Sequence, residues 1–141
     1  MQRGRRIAFD YGDVRIGVAI SDSDGILASP LTTLRTTDKR LRTKVEEIFQ
    51  EFEPLKIYVG KPSNMDGSSG SAVDKVLEFS QLLATLTTCP IELVDERLTT
   101  VSGARNLRDS GVSAKESKSR IDEAAAVAIL EFGLSIEKNR K

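Results

Sequence analysis

Ile7-Ala8-Phe9-Asp10-Tyr11-Gly12 and Arg15-Ile16-Gly17-Val18-Ala19-Ile20-Ser21 decide the fold. The first is a short apolar run closed by a carboxylate. The second alternates as a half-buried strand does, and Tyr11-Gly12-Asp13 between them is a turn. Together they predict a β-hairpin. Ser21-Asp22-Ser23-Asp24-Gly25 supplies the next turn, and Ile26 to Leu34 reads as a third strand that Pro30 confines to a sheet edge.

Beyond this meander the period changes. Thr37 or Asp38 can cap a helix to about Phe52, with Leu41, Val45, Ile48, Phe49 and Phe52 at helical spacing and Pro54 as its stop. Ile57-Tyr58-Val59 reads as a short buried strand, and Gly60 to Gly70 as a polar loop. A second helix runs from Ala72 to about Leu86. Ile91-Glu92-Leu93-Val94 is a strand ending at Asp95-Glu96-Arg97. A helix from Thr99 or Thr100 to near Gly111 follows. Ser113 to Ser119 has no large apolar residue and reads as mobile. An Ala-rich helix over about Ile121 to Ile136 ends the chain. Three antiparallel strands followed by βα units give an α/β fold, a mixed sheet with helices on its faces.

The chain has 141 residues, 21 basic and 21 acidic, and no His. Length and composition predict one domain over 1–141. Lacking His, the chain cannot run serine–histidine hydrolysis or build His-ligated zinc. A single cysteine, Cys89, cannot form an internal disulfide and reads as packing filler. With no secretory signal and no apolar run near 20 residues, the expectation is a cytoplasmic protein with no membrane association. The zero net charge is uneven. Residues 1–44 hold nine Lys/Arg against five Asp/Glu, residues 45–96 three against ten, and residues 97–141 nine against six. This pattern fits a basic rim around an acidic centre, and equally well unrelated solvated faces.

Asp10, Asp95, Glu96 and Asp122 fall where chain ends meet: the ends of the first and last strands and the first turn of the last helix. Ligands of open α/β sheets gather outside the carboxyl ends of strands. Carboxylates converging there repel unless a cation lies between them. Oxygen donors without His or a Cys cluster point to Mg²⁺ or Mn²⁺. Two such ions would activate water and stabilise the leaving oxygen in phosphodiester cleavage. Each residue has a plainer reading. Asp10 alternatively shapes a turn. Asp95 and Glu96 alternatively pair with Arg97 in solvent. Asp122 alternatively completes a capping box with Ser119. Against the last, Ala124, Ala125, Ala126 and Ala128 let the final helix lie close on the sheet and carry Asp122 to the strand ends. Arg15 and Arg97 either contact phosphate or pair with a carboxylate, and Lys61 is a candidate phosphate contact. Asn64 in the loop after the fourth strand is a further candidate nucleic-acid contact that also shapes the turn, and Lys115, Lys118 and Arg120 form a candidate basic clamp beside the site. Without Trp, and with two Tyr and five Phe, base stacking is not the leading binding mode.

Taken together, these segments resemble the YqgF family of RuvC-like Holliday junction resolvases, also called pre-16S rRNA nucleases. The resemblance rests on Ala8-Phe9-Asp10-Tyr11-Gly12 with Arg15-Ile16-Gly17-Val18-Ala19 and Ser21-Asp22, then Val59-Gly60-Lys61-Pro62 with Asn64-Met65-Asp66-Gly67-Ser68. Asp95-Glu96-Arg97-Leu98-Thr99-Thr100 follows, and then Ile121-Asp122 with Ala124-Ala125 and Ile129-Leu130. It implies an RNase H-like fold with a five-stranded mixed sheet. It also implies a metal-dependent nuclease whose acidic triad is Asp10, Glu96 and Asp122, with Asp95 the rival of Glu96. Three positions depart from the pattern. No carboxylate follows the fourth strand, so the second acid comes one strand later; Val14 replaces a commonly basic residue; and Lys61 stands where the family is often apolar.

The expected function is a Mg²⁺- or Mn²⁺-dependent endonuclease of structured nucleic acid, either the 5′ precursor of 16S rRNA or branched DNA, acting as a monomer or weak homodimer. A non-catalytic RNA-binding assembly factor on the same fold is a rival, motivated by the acidic middle and the acid missing after strand four. The Asp10-Tyr11-Gly12 hairpin also resembles the phosphate turn of actin-like ATPases and sugar kinases, which need two lobes.

Overall fold

The computed structural model describes residues 2–62, 71–98 and 115–139. β1 (Arg6–Tyr11), β2 (Arg15–Ser21) and β3 (Ala28–Arg35) form the meander. α1 (Leu41–Phe52), β4 (Lys56–Lys61), α2 (Ser71–Leu86) and β5 (Ile91–Asp95) follow. A single 3-10 turn (Glu96–Leu98) leaves β5, and α3 (Lys115–Asn139) ends the described chain. The sheet order is β3-β2-β1-β4-β5. β1 and β2 pair antiparallel, as do β2 and β3. β4 joins β1 in parallel, and β5 joins β4 in parallel. This is the expected five-stranded mixed sheet, with the hairpin at its heart and β1 in the centre.

Pro30 lies on the edge strand, as its missing N–H requires. The β2–β3 register shifts beside it, between Val18 and Ala19. β3 begins at Ala28, not Ile26. The Asp22 carboxylate accepts the backbone N–H groups of Ile26 (2.7 Å) and Leu27 (3.2 Å), so both are consumed by the turn. α1 begins at Leu41, because the Asp38 carboxylate accepts the Arg40 N–H at 2.8 Å and holds the preceding residues in a turn. It ends at Glu53, which adopts the left-handed conformation (φ 45°) and donates its N–H to the Phe49 carbonyl at 2.9 Å.

Alternation along β1 sorts the core into two layers. Ile7 and Phe9 point to one face, where Ile16, Val18, Ile57 and Val59 meet Val45 and Phe49 of α1 and Val76, Phe79 and Leu83 of α2. Phe9 packs edge-on against both Phe49 and Phe79, with ring centroids 6.1 and 5.5 Å apart. Ala8 points to the other face, where Ala19, Tyr58 and Val94 meet Ala125, Ala126, Ile129, Leu130 and Leu134 of α3. One helix therefore covers a whole face, and it lies very close. A Cβ added to Gly17 would stand 2.0 Å from the Asp122 carbonyl oxygen. One on Gly60 would stand 2.4 Å from Ile129 Cδ1, and one on Gly133 2.7 Å from the Tyr58 ring.

α3 starts at Lys115 rather than near Ile121. No Gly or Pro interrupts residues 115–132, and Lys, Glu and Arg are good helix formers, so the helix extends backwards past the polar stretch. Asp122 thus lies two turns inside α3, and the capping-box reading of Ser119 does not hold. Asn64, most of the Gly60–Gly70 loop and the helix expected from Thr99 or Thr100 to Gly111 lie outside the described residues. Among those described, no helix is long and apolar enough to cross a membrane.

At the far end of α3 a buried ion pair fastens the helix to β1. Arg6 is fully buried, and its guanidinium donates to both Glu137 carboxylate oxygens at 3.2 and 3.1 Å and to the carbonyls of Gln2 and Gly4. Tyr58 donates its hydroxyl to Glu137 at 2.5 Å. Burial, then the Glu137 carboxylate, pushes the Tyr58 phenol far up, so it stays a donor. Burial also acts to raise the Glu137 carboxyl, but the hydrogen bonds from Tyr58 and Arg6 prevail and hold it below its usual range.

Two outcomes follow. Gly17→Ala should lower stability by about 1–3 kcal/mol in urea melts, because the new methyl meets backbone that cannot turn aside; an unchanged midpoint would contradict the close seating of α3. Glu137→Gln should cost about 3 kcal/mol near neutral pH by leaving Arg6 buried without its counter-charge. The Glu137 contribution is complete above its ordinary value of 4.5 and is lost as pH falls through the depressed native value. The stability gap between wild type and variant should therefore shrink as pH falls below 4.5, and a gap constant in pH would refute this assignment.

Candidate active site

Asp10, Glu96 and Asp122 are brought together from β1, the turn after β5, and α3. All three are buried, 3%, 8% and 2% exposed, and all three line one cavity of about 190 Å³ at the carboxyl end of the central strands. The sheet register explains the convergence. Asp10 shares the Ala8 face, toward α3. Its partner on β2 is Gly17, the residue on which the Asp122 backbone rests. On the opposite side of β1 runs β4, whose Gly60 would carry a Cβ 3.4 Å from Glu96 Oε1. Two glycines flanking Asp10 thus leave room for the two carboxylates that approach over the sheet.

Asp95 takes a different path. As the last residue of β5 it alternates away from Glu96, and its carboxylate is held by Arg97. The Arg97 guanidinium reaches Asp95 Oδ2 at 2.8 Å, and the Arg97 N–H reaches Oδ1 at 2.9 Å. The Arg97 side chain, its backbone N–H and, more weakly, nearby Lys61 keep the Asp95 carboxyl below its usual range. Asp95 does not line the cavity. The plain reading therefore holds for Asp95, which pairs with Arg97 at the strand end, and not for Glu96, which turns inward.

Arg15 donates through Nε to Asp122 Oδ2 at 2.8 Å, with one-fifth of its side chain exposed. Of the two readings open to Arg15 and Arg97, both residues thus take the pairing with a carboxylate. Lys61 is exposed at the end of β4, in register with Asp95. Arg120 is exposed on α3, one turn from the start of the packed segment. Lys115 and Lys118 stand on the first turns of α3 rather than on a separate flap, and their side chains lie outside the described residues.

Lys75 and Tyr11 escaped the sequence reading. Both line the cavity. Lys75 projects from α2 and pairs with Asp13 of the β1–β2 turn at 2.9 Å. Nothing local marks it, since one Lys on an amphipathic helix reads as solvated. Tyr11 packs on Phe79 at 5.1 Å, and burial, then Asp13, raises its phenol. The turn is also pinned from β3, where Thr36 donates its hydroxyl to the Gly12 carbonyl at 2.6 Å.

The donor chemistry fits a hard divalent cation. Three buried carboxylates face one cavity with no nitrogen or sulfur ligand among them. Among the described residues no three His, Cys, Asp or Glu side chains stand close enough together to hold one ion, and Asp122 is turned to Arg15.

A family model described as "RuvX: Holliday junction resolvase" matches residues 4–135. A Streptomyces coelicolor protein is 46% identical over 140 residues, covering 98% of this chain and 84% of its own length. A Mycolicibacterium smegmatis protein is 47% identical over 135 residues, covering 92% and 79%. Both carry the name "Putative pre-16S rRNA nuclease". Among solved structures, Thermus thermophilus RuvC in complex with a Holliday junction substrate superposes with a TM-score of 0.64 at 16% identity, covering 96% of each chain. That likeness establishes the fold, RNase H-like as the sequence implied.

The geometry separates the two neighbouring acids. Glu96→Gln should weaken Mn²⁺ binding by roughly 10–100-fold, the range for losing a group that supports a metal site. Asp95→Asn should change it by less than about threefold, since that carboxylate is directed to Arg97. Calorimetric titration of the two variants decides; the reverse order would exchange their roles.

Proposed function

Because the chain belongs to the RuvX family, we propose that it is a divalent-metal-dependent endonuclease of structured nucleic acid, acting on the 5′ precursor segment of 16S rRNA in the cytoplasm. One observation carries this reading: three buried carboxylates from three separate elements face a single cavity at the carboxyl end of the sheet. Such an arrangement is costly unless a cation offsets it. The full-length likeness to relatives named for pre-16S rRNA supports the choice of RNA.

Asp10, Glu96 and Asp122 would hold Mg²⁺ or Mn²⁺. When bound, the ion supplies positive charge to the scissile phosphate and a more acidic water for attack on phosphorus. The chain's own residues do the rest. Asp10, fixed on the central strand, sets the position of the site. Gly17 and Gly60 admit the other two carboxylates. Lys75, nearly half exposed at the cavity wall, offers an ammonium to the entering backbone. Exposed Lys61 and Arg120 would extend that positive surround.

Branched DNA is the second reading, favoured by the description attached to the matching family. The two are separated by offering the purified protein a 5′-extended rRNA fragment and a four-way DNA junction, each with Mg²⁺ or Mn²⁺ at matched salt. The RNA should be cut preferentially. Asp10→Asn should slow cutting at least about a hundredfold, the scale of losing one electrostatic contact to the transition state. Preferential cutting of the junction would favour the second reading. An Asp10→Asn protein as active as wild type would remove the nuclease assignment.

A further inference from the structure

We propose that Arg15 is an internal counter-cation that holds Asp122 until a divalent ion loads, and that it then turns to the nucleic-acid backbone. The inference rests on the metal-binding reading above. It starts from an electrostatic problem: Asp10, Glu96 and Asp122 are all buried around one cavity, and like charges confined there raise one another's energy. Arg15 offsets part of this. Its Nε lies 2.8 Å from Asp122 Oδ2, and the Asp122 side chain is only 3% exposed, so the pair is weakly screened.

Three features suit Arg15 to a temporary role. It stands at the first residue of β2, at the mouth of the hairpin rather than inside the core. Its side chain keeps one-fifth of its surface in solvent, unlike fully buried Arg6, which donates to Glu137 and to two carbonyls as well. A guanidinium also matches phosphate as well as it matches carboxylate, so release from Asp122 leaves it suited to the next anion to arrive. A dication competes for Asp122 with twice the charge of Arg15. The ion pair therefore has two consequences that a purely structural bridge lacks: it weakens metal binding, and it keeps a phosphate contact withdrawn until metal is present.

The experiment compares wild type, Arg15→Gln and Arg15→Lys by Mn²⁺ titration, thermal melting and binding of a 5′-extended rRNA hairpin in Ca²⁺. Arg15→Gln should bind Mn²⁺ about tenfold more tightly and the hairpin about tenfold more weakly, each the scale of one charge-assisted contact. Its metal-free form should melt lower, with a larger Mn²⁺-induced rise than wild type. Arg15→Lys should fall between, tightening Mn²⁺ by about threefold, because an ammonium keeps the charge but loses the planar fork. Unchanged or weaker Mn²⁺ binding in Arg15→Gln, with wild type still binding, overturns the proposal and leaves the metal site standing. No Mn²⁺ binding by either protein at millimolar concentration removes both. If Arg15→Gln melts below the titration temperature, Arg15→Lys decides, and unchanged Mn²⁺ affinity there overturns the proposal.

Discussion

The structure depends on the absence of a side chain at Gly17. The Asp122 carbonyl occupies the space where a Cβ would stand, so α3 touches the backbone of β2 directly. Everything at the site follows from this seating. It sets Asp122 beside Asp10, the register partner of Gly17. Ala8, Ala19, Ala125 and Ala126 extend the same close approach along the helix. The Arg6–Glu137–Tyr58 cluster locks the distant end, so the helix cannot slide along the sheet without stranding a buried guanidinium. A helix clamped at one end by charge and seated at the other on glycine delivers a carboxylate to a fixed place.

The charge distribution acquires a meaning that segment totals did not convey. The acidic middle does not fold into an acidic centre: Glu46, Glu47 and Glu51 lie on the exposed face of α1. Instead each third of the chain contributes one buried carboxylate to the cavity, Asp10, Glu96 and Asp122 in turn, with exposed Asp13 at its edge. The cations are divided likewise. Arg15, Lys75 and Arg97 are engaged by Asp122, Asp13 and Asp95, and Lys75 lines the cavity from α2. The distinction between Asp95 and Glu96 is geometric. Asp95 closes β5 and meets Arg97, whereas Glu96 opens the 3-10 turn and reaches over Gly60.

The sheet was legible because alternation, the Asp-Tyr-Gly turn and Pro30 are local signals, and they agree with one another. So was the meeting of Asp10, Glu96 and Asp122 at one cavity, because they sit at strand ends and in motif order. Element boundaries were less so. Ile26 and Leu27 look like strand residues, but their N–H groups go to Asp22. α3 starts six residues before Ile121, because the polar stretch that hides its beginning has favourable helix propensity. Lys75 was illegible, since its place in the cavity depends on how α2 packs on the sheet. Nor could spacing reveal that Arg15 is paired with Asp122, a contact spanning 107 residues.

The central claim is that these three carboxylates form one divalent-metal site. The most direct test is a crystal grown with Mn²⁺, with the anomalous signal of the metal mapped. The account predicts density within coordinating reach of Asp10, Glu96 and Asp122, with Arg15 displaced from Asp122. Manganese bound at Asp95 and Arg97, or none in this cavity at millimolar concentration, would contradict it.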